Sequence, residues 1–224
     1  MIETNTLQFL QALKANNSQE WWDANRAKYA LATTNMETVA TALLATIAKF
    51  DASINHLQAK DCMFRLNRDV RFSQNKAPYK TNMALYISKN GKKGLATAGY
   101  YLHVEPGASF LAGGIYMPPA PQLKQIRQEI DYNFEAFSKM IKKAPMQTNF
   151  GGLDERGGNK LSRPPKGYDA ANPAIEYLKL KSFIAAAPLS NELLTSKEAV
   201  KQIAEKSKIL FPLIAFLNGA LAEE

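Results

Sequence analysis

Between residues 62 and 117 apolar side chains recur at every second position, in four runs separated by only a few residues. Phe64, Leu66, Val70 and Phe72 share one side of the first run. Arg65, Asn67, Asp69 and Arg71 share the other, and Arg68 is the odd member on the apolar side. Met83, Leu85 and Ile87 alternate in the second run, which ends at Asn90-Gly91. In the third, Tyr100, Leu102 and Val104 oppose Tyr101, His103 and Glu105. After the turn signal Pro106-Gly107, Phe110 to Met117 forms the fourth. A period of two is that of a strand with two different faces. Parallel neighbours need a crossover of a dozen or more residues, whereas antiparallel ones need only a turn. The expected core is therefore an antiparallel meander of four or more strands over about residues 62–117.

Both ends of the chain follow the helical period instead. Leu7, Leu10 and Leu13 repeat behind a cap expected at Thr6. Asn16-Asn17-Ser18 breaks that pattern, and Asn17 with Glu20 reads as a capping box for the next helix. Trp22, Arg26 and Tyr29 follow, then a stripe of Met36, Val39, Leu43, Ile47 and Phe50. One of Trp21 and Trp22 is expected to pack inward. Prolines 118, 119 and 121 open a further helix, whose stripe runs from Leu123 through Ile126, Ile130, Phe134 and Phe137 to Ile141. Residues 144–173 read as irregular, and a short helix is expected from Asn172-Pro173 through Phe183. Thr195 with Glu198 reads as the box opening the last helix, which Pro212 should kink. Strands grouped centrally and helices at the ends give an α+β fold rather than alternating α/β. No repeat or linker divides the chain, so one domain spanning 1–224 is expected.

Composition narrows the function classes without selecting one. The 224 residues carry a formal charge of +8, which permits an anionic partner but does not require one. The lone Cys62 forms no internal disulfide and suits a reducing compartment. The N-terminus lacks the basic and apolar regions of a signal peptide, and no apolar run is long enough to span a bilayer. A cytoplasmic protein with no membrane partner is expected. There is no G-x-G-x-x-G, no Walker A and no G-x-S-x-G. Two histidines, His56 and His103, with one cysteine cannot build an ordinary structural zinc site. Neither a metal nor a cofactor is expected, and oligomeric state is not encoded in any readable pattern.

Three constellations stand out. Arg65, Arg68, Arg71, Lys76 and Lys80 fall within sixteen residues, interleaved with Asp69 and Tyr79. Guanidinium forks bind phosphate or carboxylate bidentately. The same residues could equally form a solvated face with ion pairs. Lys160, Arg163, Lys166 and Tyr168 sit on a loop stiffened by Pro164-Pro165 and sharpened by Gly167, which can hold cations at fixed positions. Its bland alternative is a basic surface loop. On the third run Tyr101 and His103 share a face with Glu105. A histidine beside a carboxylate can act as general base, or can simply be hydrogen-bonded in the sheet. Gly113-Gly114 would let a ligand or another backbone come close, or mark a bulge.

Taken in order, several segments resemble a known family. They are Phe64-x-x-x-Arg68-Asp69-Val70-Arg71-Phe72-Ser73-x-x-Lys76-x-Pro78-Tyr79-Lys80-Thr81, then Gly99-Tyr100-Tyr101-Leu102-His103, then Gly113-Gly114 with Pro118. Leu123-x-x-Ile126-Arg127, Arg163-x-Pro165-Lys166-Gly167-Tyr168 and Tyr177-Leu178-Lys179-x-Lys181 follow. The chain is similar over nearly its whole length to the family called domain of unknown function 2461. Asn172-Pro173 departs from it, standing where the resemblance implies an Asp-His-Pro type of sequence. The resemblance implies one compact domain and supplies no activity. The expected site joins Arg68, Arg71, Lys76, Tyr79, Lys80, Tyr101, Arg163, Lys166 and Tyr168 as ligand-binding residues with His103 as the proton-transfer group. A small anionic, phosphorylated ligand suits that set. Nucleic-acid binding and a structural or adaptor role with the arginines in ion-pair networks are the alternatives.

Overall fold

The alternating runs at Met83–Ser88 (β1), Gly99–Val104 (β2) and Phe110–Ile115 (β3) pair in sequence as antiparallel neighbours, with Tyr86 opposite Tyr101 and Tyr101 opposite Ala112. A fourth strand, Phe183–Pro188 (β4), pairs antiparallel with β3 and places Ile184 opposite Gly114. The sheet order is β1-β2-β3-β4. The computed structural model describes residues 1–71, 74–93 and 96–222.

Ten α-helices surround this sheet among the described residues. They are α1 (Thr4–Ala15), α2 (Gln19–Ala24), α3 (Arg26–Ile47) and α4 (Ala59–Cys62) before it. Between β3 and β4 lie α5 (Ala120–Tyr132), α6 (Phe134–Ile141), α7 (Ala144–Phe150) and α8 (Ile175–Leu178). After β4 come α9 (Asn191–Thr195) and α10 (Ala199–Ala220). The α+β reading with a central antiparallel sheet is thus the observed architecture.

The strands have two unlike faces. Leu85, Leu102, Leu111, Ala185 and their same-side neighbours are buried in one contiguous core. Helix α10 lies directly on that face. A side chain added at Gly113 would come within 2.8 Å of Leu210 Cδ1, so the missing Cβ is what lets helix and sheet approach. The opposite face carries Tyr86, Tyr101, His103, Phe110, Ala112 and Ile184. It is only half-covered, and several of these side chains keep solvent contact.

Several expectations need correcting. The fourth strand comes from residues 183–188, outside 62–117, and the expected helix after Asn172-Pro173 stops at Leu178. The run from Phe64 is not a strand of the sheet. It makes isolated bridges, Met63 to Leu85 and Asn67 to Tyr79. Arg68 N donates to Pro78 O, and Lys80 N to Leu66 O, so the segment folds back on itself as an irregular arm. Pro78 has no N–H to extend that ladder. Phe72 and Ser73 lie outside the described residues. Ser18, not Asn17, caps α2, its hydroxyl accepting from Trp21 N. Thr6 lies inside α1, buried, with its hydroxyl donating to Asn35 Oδ1. The expected single helix over 123–141 breaks at Asn133, whose backbone (φ −114, ψ 35) is not helical. Helix α7 occupies part of the segment expected to be irregular, and α10 starts at Ala199 without a side-chain cap. Trp22 is the buried tryptophan, as one of the pair was expected to be.

Candidate functional site

Each edge of the sheet is covered by one of the two basic segments. On the β1 side, Phe64 N donates to Ala84 O at 3.1 Å, which ties down the arm that runs to Lys80. On the β4 side, Asp154 N donates to Ile184 O at 2.8 Å, and Asn159 Nδ2 to Ser182 O at 3.1 Å. Irregular cover of this kind protects unpaired strand edges. It also anchors the two basic segments to edge strands that are three spacings apart, about 14 Å at the usual interval.

Between the two edges lies a cavity of about 420 Å³ on the half-covered face. Phe64, Tyr86, Tyr101 and Phe110 supply aromatic walls. Gly99, Gly113 and Gly114 leave bare backbone among them, and Tyr116 and Ile184 close the β4 side. The rings interlock, with Tyr101 5.6 Å from Phe110 and 6.4 Å from Phe64 between centroids. Tyr86 is held by its hydroxyl, which donates to the Thr97 carbonyl. Two other depressions, about 330 and 310 Å³, follow the outer side of α10, where no residue of the expected site lies.

A polar chain leads away from the cavity wall along β2. Tyr101 Oη lies 3.1 Å from His103 Nδ1, and His103 Nε2 lies 3.2 Å from Glu105 Oε2. These side chains can line up because residues two apart on a strand point the same way. His103 stacks on Phe110, with centroids 4.7 Å apart and planes 15° apart, which fixes the imidazole plane. Glu105 Oε1 accepts from Lys14 Nζ at 3.1 Å and Thr81 Oγ1 at 3.2 Å. Burial pushes the Glu105 carboxyl up, but hydrogen bonds from His103, Lys14 and Thr81 outweigh it and hold the group below its usual value of 4.5. Burial pushes the Tyr101 phenol up.

The Glu105 shift has a consequence for acid stability. With its folded value below its unfolded one, protonation favours the unfolded chain. The contribution is fully present above the ordinary glutamate range and is lost as pH falls through the lowered folded value. Glu105→Gln is expected to cost about 1–2 kcal/mol at neutral pH, as hydrogen bonds to a charged acceptor are lost. It should also flatten the stability slope below about pH 5. Urea unfolding of both proteins across pH 3–7, about the range in which such carboxyls titrate, measures this.

The remaining expected site residues are distributed unevenly. Lys80 is half-buried, its Nζ 5.5 Å from the centroid of Phe64, a ring of the cavity wall. Burial, and then the nearby Arg65, lower its pKa. No carboxylate lies within ion-pair distance of Lys80 among the described residues. Arg71 instead forms a two-pronged pair with Asp69, Nε to Oδ1 at 2.9 Å and Nη2 to Oδ2 at 2.6 Å. Arg68 Nη1 donates to Ala77 O and Lys76 Nζ to Val70 O, so both brace the arm. Tyr79 is 2% exposed. Its hydroxyl donates to Gln19 Oε1 at 2.6 Å, and its ring stacks on Trp22 at 4.0 Å. It anchors the arm to the helical layer.

On the other edge Arg163 and Lys166 are exposed and Tyr168 is half-buried. Burial and then Asp131 push the Tyr168 phenol up, against the effect of Arg127. Arg127, which stood in the quoted motif but outside the expected site, donates through Nη2 to Leu180 O at 3.1 Å. Among the described residues its buried Nε has no hydrogen-bond partner. The cavity walls Phe64, Tyr86, Phe110 and Ile184 were also missed. Their signal is the face opposite the core, visible only once register is known. Among the described residues no three His, Cys, Asp or Glu gather as a metal site. Burial, and then Asp61, push the Cys62 thiol up to about 11, which leaves it inert.

The class defined so far is an α+β protein whose antiparallel sheet is packed by helices on one face and hollowed by an aromatic cavity on the other. The family model described as "Conserved hypothetical protein (DUF2461)" matches residues 5–216, and the chain belongs to that family. No curated protein and no solved structure matches it. No helix among the described residues is long and apolar enough to cross a membrane.

Proposed function

We propose that the half-covered face of the sheet binds a small molecule with a flat, apolar body and an anionic group, in a single-domain cytoplasmic protein. The observation that carries this reading is the aromatic cavity. Its volume of about 420 Å³ suits a small ligand, since such sites typically measure about 300–1,000 Å³ and are lined mainly by apolar and aromatic groups. Bare glycine backbone between the rings gives a planar ligand a surface to lie on. Lys80 supports the anionic part of the reading, as a half-buried cation against a cavity ring with no carboxylate beside it among the described residues. A cation partly removed from water gains more from an anion than an exposed one does. Arg163 and Lys166 are exposed, whereas Lys80 is half-buried against a ring of the wall, so they rank behind it as anion contacts.

The alternatives fit less well. Nucleic acid calls for a continuous basic face, whereas the two basic segments are anchored on opposite edges of the sheet. In an adaptor whose arginines build the fold, the pairs would be buried. Arg26–Asp23, Arg71–Asp69 and Arg156–Asp154 are instead local and largely exposed, and such pairs contribute about 0–1 kcal/mol.

Thermal-shift titrations with 1-naphthyl phosphate, 1-naphthol and inorganic phosphate test this. The flat phosphate should stabilise the protein more than either fragment, by about 2.7 kcal/mol at a hundred times its dissociation constant. Lys80→Met keeps the apolar stem on Phe64. It should abolish the advantage of the phosphate while leaving the response to naphthol unchanged. Equal responses of wild type and Lys80→Met to the phosphate would remove Lys80 from the site. No response to either aromatic compound would refute the reading.

A further inference from the structure

The polar chain on β2 has a direction. Its inner end, Tyr101, is part of the cavity wall, and its outer end, Glu105, is fixed by Lys14 and Thr81. An ionised carboxylate only accepts hydrogen bonds. His103 must then donate through Nε2, which leaves Nδ1 of the neutral ring as an acceptor for the Tyr101 hydroxyl. Every described polar contact of the chain agrees with this one tautomer. The charged and titratable groups facing it are Lys14 from α1, and Tyr101 and Glu105 from β2 itself. From β3, among the described residues, it meets the ring of Phe110 and has Ala112 opposite Tyr101, neither of them charged or titratable. A histidine held in one tautomer by a carboxylate, in plane against an aromatic ring and bonded to the hydroxyl of a tyrosine that lines the cavity, has the arrangement by which a weak hydroxyl is activated.

We propose that Tyr101, His103 and Glu105 form a proton relay that makes the cavity an enzyme site for proton removal from its ligand. This rests on the binding reading for the cavity, and deepens it. In the step, Tyr101 Oη takes a proton from an acidified C–H or O–H of the bound molecule while its own proton passes to His103 Nδ1. The electron pair of the broken bond stays on the ligand. His103 becomes an imidazolium between tyrosine and Glu105, and Glu105 balances its charge without being protonated. The proton returns to the product or to water, so isomerisation and elimination are the reaction classes that need no co-reactant. Tyr101 is the catalytic residue. His103 and Glu105 act through it.

The relay can be tested without knowing the substrate. Benzenesulfonyl fluoride is flat and reacts with an activated phenol: the Tyr101 Oη–S bond forms, S–F breaks, fluoride leaves, and the phenolic proton goes to His103. Peptide mapping should show Tyr101 labelled at least about tenfold faster than the exposed Tyr132, a modest share of what a positioned base supplies. His103→Gln should lower the Tyr101 rate by about tenfold or more and leave Tyr132 unchanged. Tyr101 reacting no faster than Tyr132, or at a rate insensitive to His103→Gln, overturns the relay. Imidazole 15N spectra of the wild type give a second test that no folding defect can confuse. A proton on Nε2 with Nδ1 as acceptor is expected, and the opposite tautomer overturns the proposal. Failure of the relay is distinguishable from failure of the binding reading. Stabilisation by 1-naphthyl phosphate with an unreactive Tyr101 removes only the relay. A reactive Tyr101 with stabilisation by 1-naphthol, and no more than that by its phosphate, removes only the anionic-ligand assignment.

Discussion

Gly114→Ala is expected to lose about 4 kcal/mol or more of stability, enough to unfold much of a marginally stable domain. Two effects act at the same atom. Gly114 has φ +126, a conformation that L side chains rarely adopt, and a Cβ there would be driven into the Phe183 carbonyl oxygen of the neighbouring strand. The backbone strain alone costs about 1–3 kcal/mol. The clash cannot be relieved by a rotamer, since it is with main chain, so β3 and β4 must separate at the Gly114–Ile184 pair. Both residues line the cavity, so ligand stabilisation should disappear together with the cooperative unfolding transition. Urea denaturation followed by circular dichroism measures the first, and thermal shift with 1-naphthyl phosphate the second. A well-folded Gly114→Ala protein would mean that the β3–β4 pairing is wrong at this point.

Trp22→Ala should cost about 3–5 kcal/mol, the range for removing a large buried aromatic. Trp22 is 7% exposed. It stacks on Tyr79 at 4.0 Å and 10°, meets Tyr29 at 4.5 Å and Phe9 at 6.3 Å. Tyr79 is the point where the arm carrying Arg65, Arg68, Arg71 and Lys80 joins the helices, through its ring, through Gln19 and through Asn17, whose side chain bonds both its N–H and its carbonyl. The variant should therefore loosen the arm as well as the core. Amide exchange at Arg68 and Lys80, whose N–H groups close the arm onto Pro78 and Leu66, should quicken more than exchange in β2 or β3. Trp22→Phe keeps an aromatic ring against Tyr79, and less than half the loss is expected. Uniform acceleration across the sheet in Trp22→Ala would show that the arm is not independently pinned there.

Three of the four strands were legible because β1, β2 and β3 obey a period of two and are joined by turns. The fourth was not. Phe183-Ile-Ala-Ala-Ala-Pro188 is dominated by alanine, which favours helix, and only its place beside Gly113 and Gly114 makes it a strand. The run from Phe64 misled for the opposite reason. Its alternation does govern burial, with Leu66 buried and Arg65, Asn67, Asp69 and Arg71 exposed, but Pro78 stops its partner from building a ladder. Periodicity reports which side is wet, not whether neighbours are hydrogen-bonded.

The same distinction applies to the site. Tyr101, His103 and Glu105 were readable as one group because strand geometry alone places alternate residues together. Tyr79 looked like a ligand contact because nothing local shows that its ring belongs to Trp22 and its hydroxyl to Gln19. The cavity was invisible, since its walls come from the arm, four strands and the Tyr116 corner, and its glycines matter through register rather than sequence. Arg127 carries no sequence signal of its own, because the burial of its Nε is a property of packing beside Leu180.

An amide-chemical-shift map of the 15N-labelled protein titrated with 1-naphthyl phosphate bears most directly on whether the half-covered face is a binding site. Saturable shifts should centre on Gly99, Tyr101, Ala112, Gly114 and Ile184, with a smaller effect at Lys80. Shifts confined to the outer side of α10 or to the loop around Arg163 and Lys166, with the sheet amides unmoved, would contradict the assignment of the ligand to this face.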